Sequence, residues 1–360
     1  DIDGASAGEK LGYSVALSFN GTIMAVGSQT GETRAYSRAE GNEWTQMGQS
    51  LAIGTGRHTV SISSDGQRLA TRDGSDDHTR VYDWNGTHWV QIGQPMYESS
   101  ISSAKISLSP DGSRVASGQR VWSFDSNTLR WEYAGSKIGG TMNAYSVALS
   151  EDGHRVAVAG EVSTSTGVGA KVVAYDWNTS TKDWDQVGDE FVDSYLLGRG
   201  LALSYDGARM AIGTSDYRTN TPEAGQVRVF DFNSTHWVRA GTEIDSTLYK
   251  EYMGSTVALS ADGSRLVIGT DDVPTSYYFT RAPRAGRALV FDWNETRADW
   301  VQSGGDIDGT SASDRFGTGV AVSGDATTIA VGAPGADQDH SASPVDDRGR
   351  VRTYEHATDT

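Results

Sequence analysis

The chain has 360 residues and no cysteine, which excludes disulfides, thiolate metal sites and a cysteine nucleophile. Acidic residues outnumber lysine and arginine by 47 to 30, and the formal net charge is −17. We find no basic cluster that would favour nucleic acid and no run of about 20 apolar residues that would span a membrane. The charge therefore indicates solubility, or affinity for divalent cations or basic partners.

A repeated unit organises the sequence and is clearest between Thr59 and Gly93. It contains four short runs rich in β-branched and aromatic residues, which we call strands a, b, c and d. The pairs Asp65-Gly66 and Asn85-Gly86 separate strands a from b and c from d. Such pairs favour tight hairpins, and none of the runs suits a helix. The unit therefore predicts four antiparallel strands.

Strand a occurs seven times, and its copies are centred on Val15, Val60, Ile106, Val147, Leu201, Val257 and Val320. Large and small residues alternate within each copy. This alternation predicts that Val15 and Leu17 fill the gap to one neighbouring sheet, while Ala16 lets the next sheet approach. A turn of the Asn20-Gly21 or Asp65-Gly66 type follows six copies, and the seventh has the variant Gly324-Asp325.

The spacing of these copies predicts the architecture. Equivalent residues of strand a lie 45, 46, 41, 54, 56 and 63 residues apart. Four-stranded units that recur every 40–50 residues or so are typical of a β-propeller. We therefore predict an all-β, seven-bladed β-propeller of four-stranded antiparallel blades, with residues 1–360 as one domain. The approximate blades are 11–53, 54–97, 98–140, 141–195, 196–250, 251–312 and 313–360.

The seventh blade is expected to lack its outer strand within this chain. Tryptophan marks strand d only six times, at Trp44, Trp89, Trp131, Trp184, Trp237 and Trp300. The seventh repeat stops near Tyr354, and residues 1–4 match residues 306–309, which follow a strand d. An open strand edge pairs readily with other chains. Further residues of a longer chain could cover this edge, or it could be a site of self-association with other protein chains.

The last repeat resembles a known family. Phe316-Gly317, residues 319–323 and Val331-Gly332-Ala333-Pro334 resemble the FG-GAP repeat of integrin-like propellers, and residues 108–112 are similar to a turn of WD40-type repeats. The resemblance implies a seven-bladed propeller used in extracellular recognition or adhesion, and it does not imply catalysis. Some repeats of that family bind calcium in a loop between strands a and b. Only a short turn occupies that position here, so the resemblance does not carry calcium binding over.

Five Asn-x-Ser/Thr sequons predict N-glycosylation of a secreted protein. They begin at Asn20, Asn85, Asn178, Asn233 and Asn294. All five lie in a–b or c–d turns, which emerge from the same face of a propeller, and we call it the turn face. The alternative is that asparagine starts these turns for conformational reasons alone. Glycans on the turn face would leave the opposite face, which we call the loop face, available for contacts.

The loop face carries the long connections between strands b and c. Binding residues are often found in such loops on a rigid scaffold. The most suggestive loop contains Tyr277, Tyr278, Phe279 and Arg281. Aromatic and arginine side chains of this kind serve as interface anchors, although they would equally pack on their own blade.

Several aspartates are candidate ligands for calcium, because hard cations bind several carboxylate oxygens from a bent loop. The candidates are Asp306, Asp308 and Asp314 in one loop and Asp337 and Asp339 in another, with Asp346 and Asp347 nearby. Their spacing is not that of an EF-hand. Solvated turn carboxylates remain the alternative, also for Asp73, Asp76 and Asp77.

No catalytic motif is apparent, and we expect no enzymatic activity. No histidine pair has metal-ligand spacing, and no nucleophile elbow or phosphate-binding loop occurs. A propeller active site would draw residues from several blades around the central funnel. Tyr13, His58, Tyr145 and Arg199, at the start of strand a, are expected to line the mouth of that funnel.

Three functions are compatible with these patterns. The first is a secreted, glycosylated adhesion or structural surface protein, or a subunit of a polymer. The second is a monomeric lectin-like module that binds carbohydrate or peptide through the loop face. The third is a propeller hydrolase or lyase, which would need converging acid and base groups in the funnel.

Overall fold

The chain is a seven-bladed β-propeller in a computed structural model that describes residues 1–39, 43–98, 105–164, 167–193, 197–214, 224–246, 251–270, 285–311, 314–337 and 347–356. Over these residues it forms 31 strands in seven antiparallel sheets and contains no helix. A membrane-spanning helix is accordingly absent from this part of the chain. The prediction of an all-β, seven-bladed propeller is confirmed.

Each of the first four blades follows the order a, b, c, d in sequence and in space. Blade one contains β2 (Leu11–Leu17), β3 (Ile23–Ser28), β4 (Glu32–Arg38), β5 (Trp44–Gln46) and β6 (Leu51–Ala52). Blade two contains β7 (His58–Ile62), β8 (Arg68–Asp73), β9 (His78–Trp84) and β10 (Trp89–Tyr97). Blade three contains β11 (Ile106–Leu108), β12 (Arg114–Ser117), β13 (Arg120–Asp125) and β14 (Arg130–Tyr133). Blade four contains β15 (Asn143–Leu149), β16 (Arg155–Thr164), β17 (Gly167–Asn178) and β18 (Asp183–Asp193).

Blades five and six keep this order, whereas blade seven keeps it in space alone, because its outer strand comes from the start of the chain. Strand d is split in two in blades one, five and six. Blade five contains β19 (Leu197–Leu203), β20 (Arg209–Thr214), β21 (Gln226–Phe232), β22 (Trp237–Arg239) and β23 (Ile244–Asp245). Blade six contains β24 (Met253–Leu259), β25 (Arg265–Thr270), β26 (Arg287–Asn294), β27 (Asp299–Gln302) and β28 (Ile307–Asp308). Blade seven contains β29 (Gly319–Val322), β30 (Thr328–Ala333), β31 (Arg350–Glu355) and β1 (Ile2–Asp3).

The expectation that blade seven has no outer strand within this chain is wrong. Strand β1 pairs antiparallel with β31, with Ile2 opposite Val351 and Asp3 opposite Arg350. Arg350 Nε also donates to the carboxylate of Asp3 at 2.5 Å. Ile2 is buried in the apolar cluster between blades seven and one. The chain thus supplies the second part of a split strand d from its own first residues, at the edge where we expected self-association.

In the described part of the chain the apolar core consists of seven clusters, and each lies between two neighbouring blades. Val15 belongs to the cluster between blades seven and one, whereas Ala16 packs against the cluster between blades one and two. Large residues of strand a therefore face the preceding blade and small ones face the following blade, as the alternation predicts. Burial between blades, rather than within one, makes each blade dependent on both neighbours.

A closed ring of backbone hydrogen bonds joins the a–b turns around the centre. Each bond runs from an amide of one blade to a carbonyl of the next, with distances between 2.7 and 3.2 Å. The seven donor–acceptor pairs are Phe19–Ser64, Ser64–Pro110, Asp111–Glu151, Glu151–Tyr205, Tyr205–Ala261, Ala261–Gly324 and Asp325–Phe19. In blade three the donor shifts to Asp111, because Pro110 has no amide proton.

In most a–b turns a glycine adopts a left-handed conformation, and the preceding asparagine or aspartate does not. Asp65 instead accepts from Ser63 Oγ and from the amide of Gln67, while Gly66 has φ of +70°. In blade seven the equivalent residue is Ala326, with φ of +62°. The pair that aligns with Asp65-Gly66 is therefore Asp325-Ala326, rather than Gly324-Asp325. A Cβ atom in this conformation costs about 1 kcal/mol, so blade seven keeps the turn geometry despite its sequence.

An arginine at the start of strand b joins neighbouring blades. In blade five, Arg209 Nε and an Nη atom bind the two carboxylate oxygens of Asp231 at 2.6 and 2.8 Å. Its other Nη atom donates to Gly263 O in blade six at 3.0 Å, and its guanidinium lies 4.7 Å from the ring centre of Trp293. Four further arginines also donate to the a–b turn of the next blade: Arg68, Arg114, Arg155 and Arg265. We call these five residues the arginine clamps.

The strand-d tryptophans join the outer parts of neighbouring blades. Trp89, Trp131, Trp184 and Trp300 each donate Nε1 to a backbone carbonyl in, or directly after, the outer strand of the preceding blade. Trp44 lies next to blade seven, and its Nε1 donates to the side chain of Thr353 at 3.1 Å. Trp237 instead packs in the apolar cluster between blades four and five, so each of the six tryptophans contacts a neighbouring blade.

His58 is fully buried between blades one and two. Its Nδ1 lies 3.0 Å from Thr33 Oγ1, and its Nε2 lies 3.7 Å from Asp73 Oδ1, beyond hydrogen-bond distance. Burial lowers the pKa of His58, and the nearby Asp73 carboxylate offsets only part of that effect. The imidazole is therefore neutral in the folded protein near neutral pH.

We predict that Arg209→Ala lowers the free energy of unfolding by about 2–3 kcal/mol, because it removes charge-assisted hydrogen bonds within and between blades. Urea unfolding monitored by tryptophan fluorescence would measure the change. The control is Arg239→Ala, which removes the ion pair between the exposed side chains of Arg239 and Glu243 and should cost less than about 0.5 kcal/mol. Equal losses in the two variants would contradict a clamping role.

We predict that His58 makes the protein less stable in mild acid. The unfolded histidine has a pKa near 6.5, so as the pH falls below about 6.5 the unfolded chain binds a proton more readily than the folded chain does. Stability that is present above that pH should decline between about pH 7 and pH 5. His58→Gln should reduce this slope in urea unfolding, and His88→Gln, at an exposed site, should not. An unchanged slope in His58→Gln would refute the prediction.

Candidate functional site

The seven inner strands surround a central pocket of about 500 Å³. Residues of strand a from every blade line it, because strand a is the innermost strand of each sheet. The walls are mainly small hydroxyl and aliphatic side chains. A volume of this size suits a small molecule.

Serine hydroxyls along the pocket wall accept hydrogen bonds from some of the backbone amides at the exposed edges of the inner strands. Ser14 Oγ accepts from the amide of Val60 in the next blade at 3.1 Å, and Ser61 Oγ accepts from the amide of Leu108 at 3.0 Å. Ser107 Oγ accepts from the Leu149 amide at 3.1 Å. Each hydroxyl still has its own O–H as a donor. The wall therefore combines apolar surface with hydrogen-bond donors.

The pocket narrows towards the turn face. Tyr205 of blade five reaches across the channel, and its hydroxyl forms a short hydrogen bond with Ser64 Oγ of blade two. The ring of Phe19 in blade one lies 5.6 Å from the ring of Tyr205. Burial raises the pKa of Tyr205, so its hydroxyl stays protonated. At the loop-face end the side chain of Lys105 in blade three also crosses the channel and donates to Ser255 O of blade six at 3.3 Å. Because this contact is made by one aliphatic side chain rather than by aromatic rings, a ligand would enter more easily from the loop face.

Basic side chains gather in the part of the pocket nearest the loop face. They are Arg57, Lys105, Arg199 and Arg315, which come from blades two, three, five and seven. Glu161 is the one acidic residue among the described residues that line the pocket, so four positive charges and one negative charge give a net of +3. The lining thus has the opposite sign to the whole chain, whose net charge is −17.

Contacts with other blades, both neighbouring and across the channel, position several of these groups. The guanidinium of Arg57 lies 5.5 Å from the ring centre of Tyr13, and Lys105 Nζ donates to Ser255 O at 3.3 Å. The hydroxyl of Tyr145 donates to Leu197 O in the next blade. Burial raises the pKa of Tyr145, so this phenol is neutral and serves as a donor. The basic groups therefore lie on a framework shared by several blades.

Three of the four residues expected at the mouth line the pocket, namely Tyr13, Tyr145 and Arg199. The expectation for His58 is wrong, because its side chain is buried against Thr33 on the other side of the strand. Its neighbour Arg57 lines the pocket instead. Arg57, Lys105 and Arg315 were missed because they lie at different offsets from strand a. A basic residue just before strand a, in an acidic chain, was the available signal.

The aromatic loop predicted to bind ligands, Tyr277, Tyr278, Phe279 and Arg281, lies outside the described residues. The structure therefore leaves its role as a prediction.

The candidate calcium ligands are mostly engaged in local contacts. Asp306 pairs with Arg287 and accepts from Gln302 Nε2, and the carboxylate of Asp314 accepts from the amides of Thr310 and Ser311 at 3.0 and 2.8 Å. Asp308 is exposed in the short strand β28, Asp337 and Asp347 lie in the described loop ends, and Asp339 and Asp346 lie outside the described residues. In the described part, no three His, Asp or Glu residues form a group that could hold a metal ion.

The five sequon asparagines lie on the turn face as hairpin residues. Asn85 Oδ1 accepts from the amide and hydroxyl of Thr87, and Asn233 Oδ1 does the same with Thr235. Asn20 makes equivalent contacts with Thr22, and Asn178 and Asn294 accept from amides in their own turns. These hydrogen bonds explain why asparagine favours the turns. The side chains of Asn20, Asn85 and Asn233 are exposed.

Comparison with known proteins identifies the repeat and the fold. A family model described as FG-GAP repeat matches residues 308–345. Hydrazine synthase of Kuenenia stuttgartiensis is 12% identical with a TM-score of 0.64, and the alignment covers 99% of this chain and 98% of that chain. The Cps50 (Swd1) β-propeller domain of Myceliophteria thermophila is 12% identical with a TM-score of 0.57, and the alignment covers 88% and 92% of the two chains.

At such low identity these two structures are similar in fold alone, and comparison with curated proteins gives no match. The family match lies in blade seven, where the literal Phe316-Gly317 and Gly332-Ala333-Pro334 motifs occur. The chain is a seven-bladed β-propeller that carries an FG-GAP repeat in its last blade.

Proposed function

We propose that this protein is an extracellular, non-catalytic recognition module that binds a small ligand in its central pocket from the loop face. The observation that carries the proposal is the pocket itself, which residues of all seven blades line and which Tyr205 narrows at the turn face. A binding site of this kind is formed by the closed ring and needs no further element.

The polar groups of the pocket support binding rather than catalysis. The ionisable side chains near its loop-face end are four basic residues, one glutamate and the tyrosines Tyr13 and Tyr145. A hydrolase or lyase would need an acid and a base within reach of one bond. Four cations around one carboxylate suit charge recognition better than proton transfer.

Two observations support an extracellular location. The FG-GAP match lies in a repeat that resembles those of integrin-like recognition propellers. The five sequons all lie on the turn face, so attached glycans would not obstruct entry from the loop face. A single binding module also agrees better with the structure than a polymer subunit does, because β1 occupies part of the blade-seven edge. Calcium and a protein partner remain hypotheses outside this proposal.

We predict that Tyr13→Ala weakens ligand binding at least tenfold without unfolding the protein, because Tyr13 supports Arg57 at the pocket. The protein would be screened against arrays of neutral and charged glycans and peptides, and bound probes would be recovered and weighed to test for turnover. Tyr133→Ala is the matched control, because the ring of Tyr133 also contacts an arginine guanidinium, that of Arg120 at 4.7 Å, but on an outer strand. Absence of any binder, equal losses in both variants, or a chemically altered probe would contradict the proposal.

We predict glycans at Asn85 and Asn233 when the full chain passes through a eukaryotic secretory pathway. Both asparagines are exposed and followed by threonine at the acceptor spacing. Mass spectrometry after enzymatic deglycosylation would identify occupied sites. Thr87→Ala should abolish occupancy at Asn85 and leave Asn233 unchanged. If the secreted protein carries no glycan at any of the five sequons, the prediction of a glycosylated turn face is wrong.

A further inference from the structure

The electrostatic character of the central pocket indicates the chemistry of its ligand, and this inference rests on the function proposed for the same pocket. Over the whole chain, acidic residues outnumber lysine and arginine by 47 to 30. In the described pocket lining the ratio is inverted, with four basic residues and one acidic residue. A site for a neutral ligand would not need an excess of positive charge, whereas a site for a negatively charged ligand would.

The four basic residues surround the ligand space instead of lying on one side of it. They come from blades two, three, five and seven of a closed ring, and all four line the same pocket. Arg57 and Arg199 are exposed, and Lys105 and Arg315 are half-buried. Bringing like charges together costs free energy, so an anion bound between them would relieve repulsion as well as gain attraction.

The four basic residues do not recur at one position of the repeat, unlike the residues that join every pair of blades. The arginine clamps recur at one position, the start of strand b, and bind carboxylates and turn carbonyls. The pocket residues instead lie at different distances from strand a: Lys105 directly precedes the central residue Ile106, whereas Arg57 lies three residues before Val60. A structural role shared by all blades would give a shared position. Their convergence at the pocket is therefore specific to the pocket.

Deeper in the pocket, donors continue along the wall. The hydroxyls of Ser14, Ser61 and Ser107 accept from strand-edge amides and retain their own O–H groups as donors. Such donors would bind the remaining oxygens of an acid, or the hydroxyls of an acidic sugar.

We infer that the central pocket binds a small ligand with two or more negatively charged oxygen groups, either carboxylates or phosphates. Multiple charges are required because the four cations come from separate blades and a single carboxylate would reach only some of them. Arginine would bind either group through two parallel hydrogen bonds. The volume of about 500 Å³ admits a tricarboxylic acid or a charged monosaccharide.

Isothermal titration of the full chain would test the inference, with citrate as the carboxylate probe and inorganic phosphate as the phosphate probe. We expect at least one probe to bind at about 20 mM NaCl and to weaken severalfold at about 200 mM, because salt screens charges at the pocket entrance. Glucuronate should bind more tightly than glucose, which lacks the carboxylate.

The double variant Arg57→Gln/Arg199→Gln should weaken binding of that probe at least tenfold. The matched control is Arg120→Gln/Arg239→Gln, which removes the same charge from strands c and d, away from the pocket, and should leave affinity unchanged. Thermal unfolding of both double variants would show that they remain folded.

The outcomes separate this inference from the proposed function. The inference fails if neither citrate nor phosphate binds, or if the two double variants lose affinity equally. If a neutral ligand then binds in a manner that depends on Tyr13, the proposed function stands and only the ligand class is wrong. If no ligand depends on Tyr13, both are wrong. If the double variant Arg57→Gln/Arg199→Gln loses more affinity for phosphate than for citrate, the ligand belongs to the phosphate esters. If it loses more affinity for citrate, the ligand belongs to the polycarboxylates.

Discussion

Closure of the ring is the constraint on which the rest of this structure depends. The core lies between blades, so a blade without two neighbours would expose one apolar face. Seven backbone hydrogen bonds pass from turn to turn and return from Asp325 to Phe19. The junction between blades seven and one includes Ile2, which joins Val351 across the two ends of the chain. The long-range contact that closes the ring is therefore also the one that completes the core.

The same closure creates the pocket. Seven inner strands arranged around an axis leave a space that no single blade could form, and strand a of every blade lines it. Residues far apart in sequence, such as Arg57 and Arg315, meet there because ring position, and not sequence distance, sets their separation. The arginine clamps and the tryptophan contacts join neighbouring blades outside the pocket and make the pocket wall rigid. A rigid scaffold with variable residues at its mouth is the usual arrangement for recognition.

Repetition separates the framework from the site. Residues that join the blades recur at one position of the repeat. Examples are the aspartate or asparagine of the a–b turn in all seven blades and the tryptophan of strand d in six of them. The exceptions are informative, because Ala326 keeps the turn geometry of a glycine and Trp44 finds a side-chain acceptor on Thr353. The basic residues of the pocket follow no such rule. Their irregular placement is the reason that we assign them to a ligand rather than to the fold.

The sequence by itself determined the blade number, the strand order and the orientation of strand a, because local turn chemistry and alternating residue size repeat along the chain. It also identified Tyr13, Tyr145 and Arg199 as pocket residues, since strand a had to be innermost. Only the tertiary structure decided that Arg57 faces the pocket while His58 is buried, because that choice depends on where the strand begins relative to its neighbour. The pairing of Ile2 with Val351 and the partners of the arginine clamps could likewise be identified only from the closed ring. Both contacts join residues that are distant in the sequence.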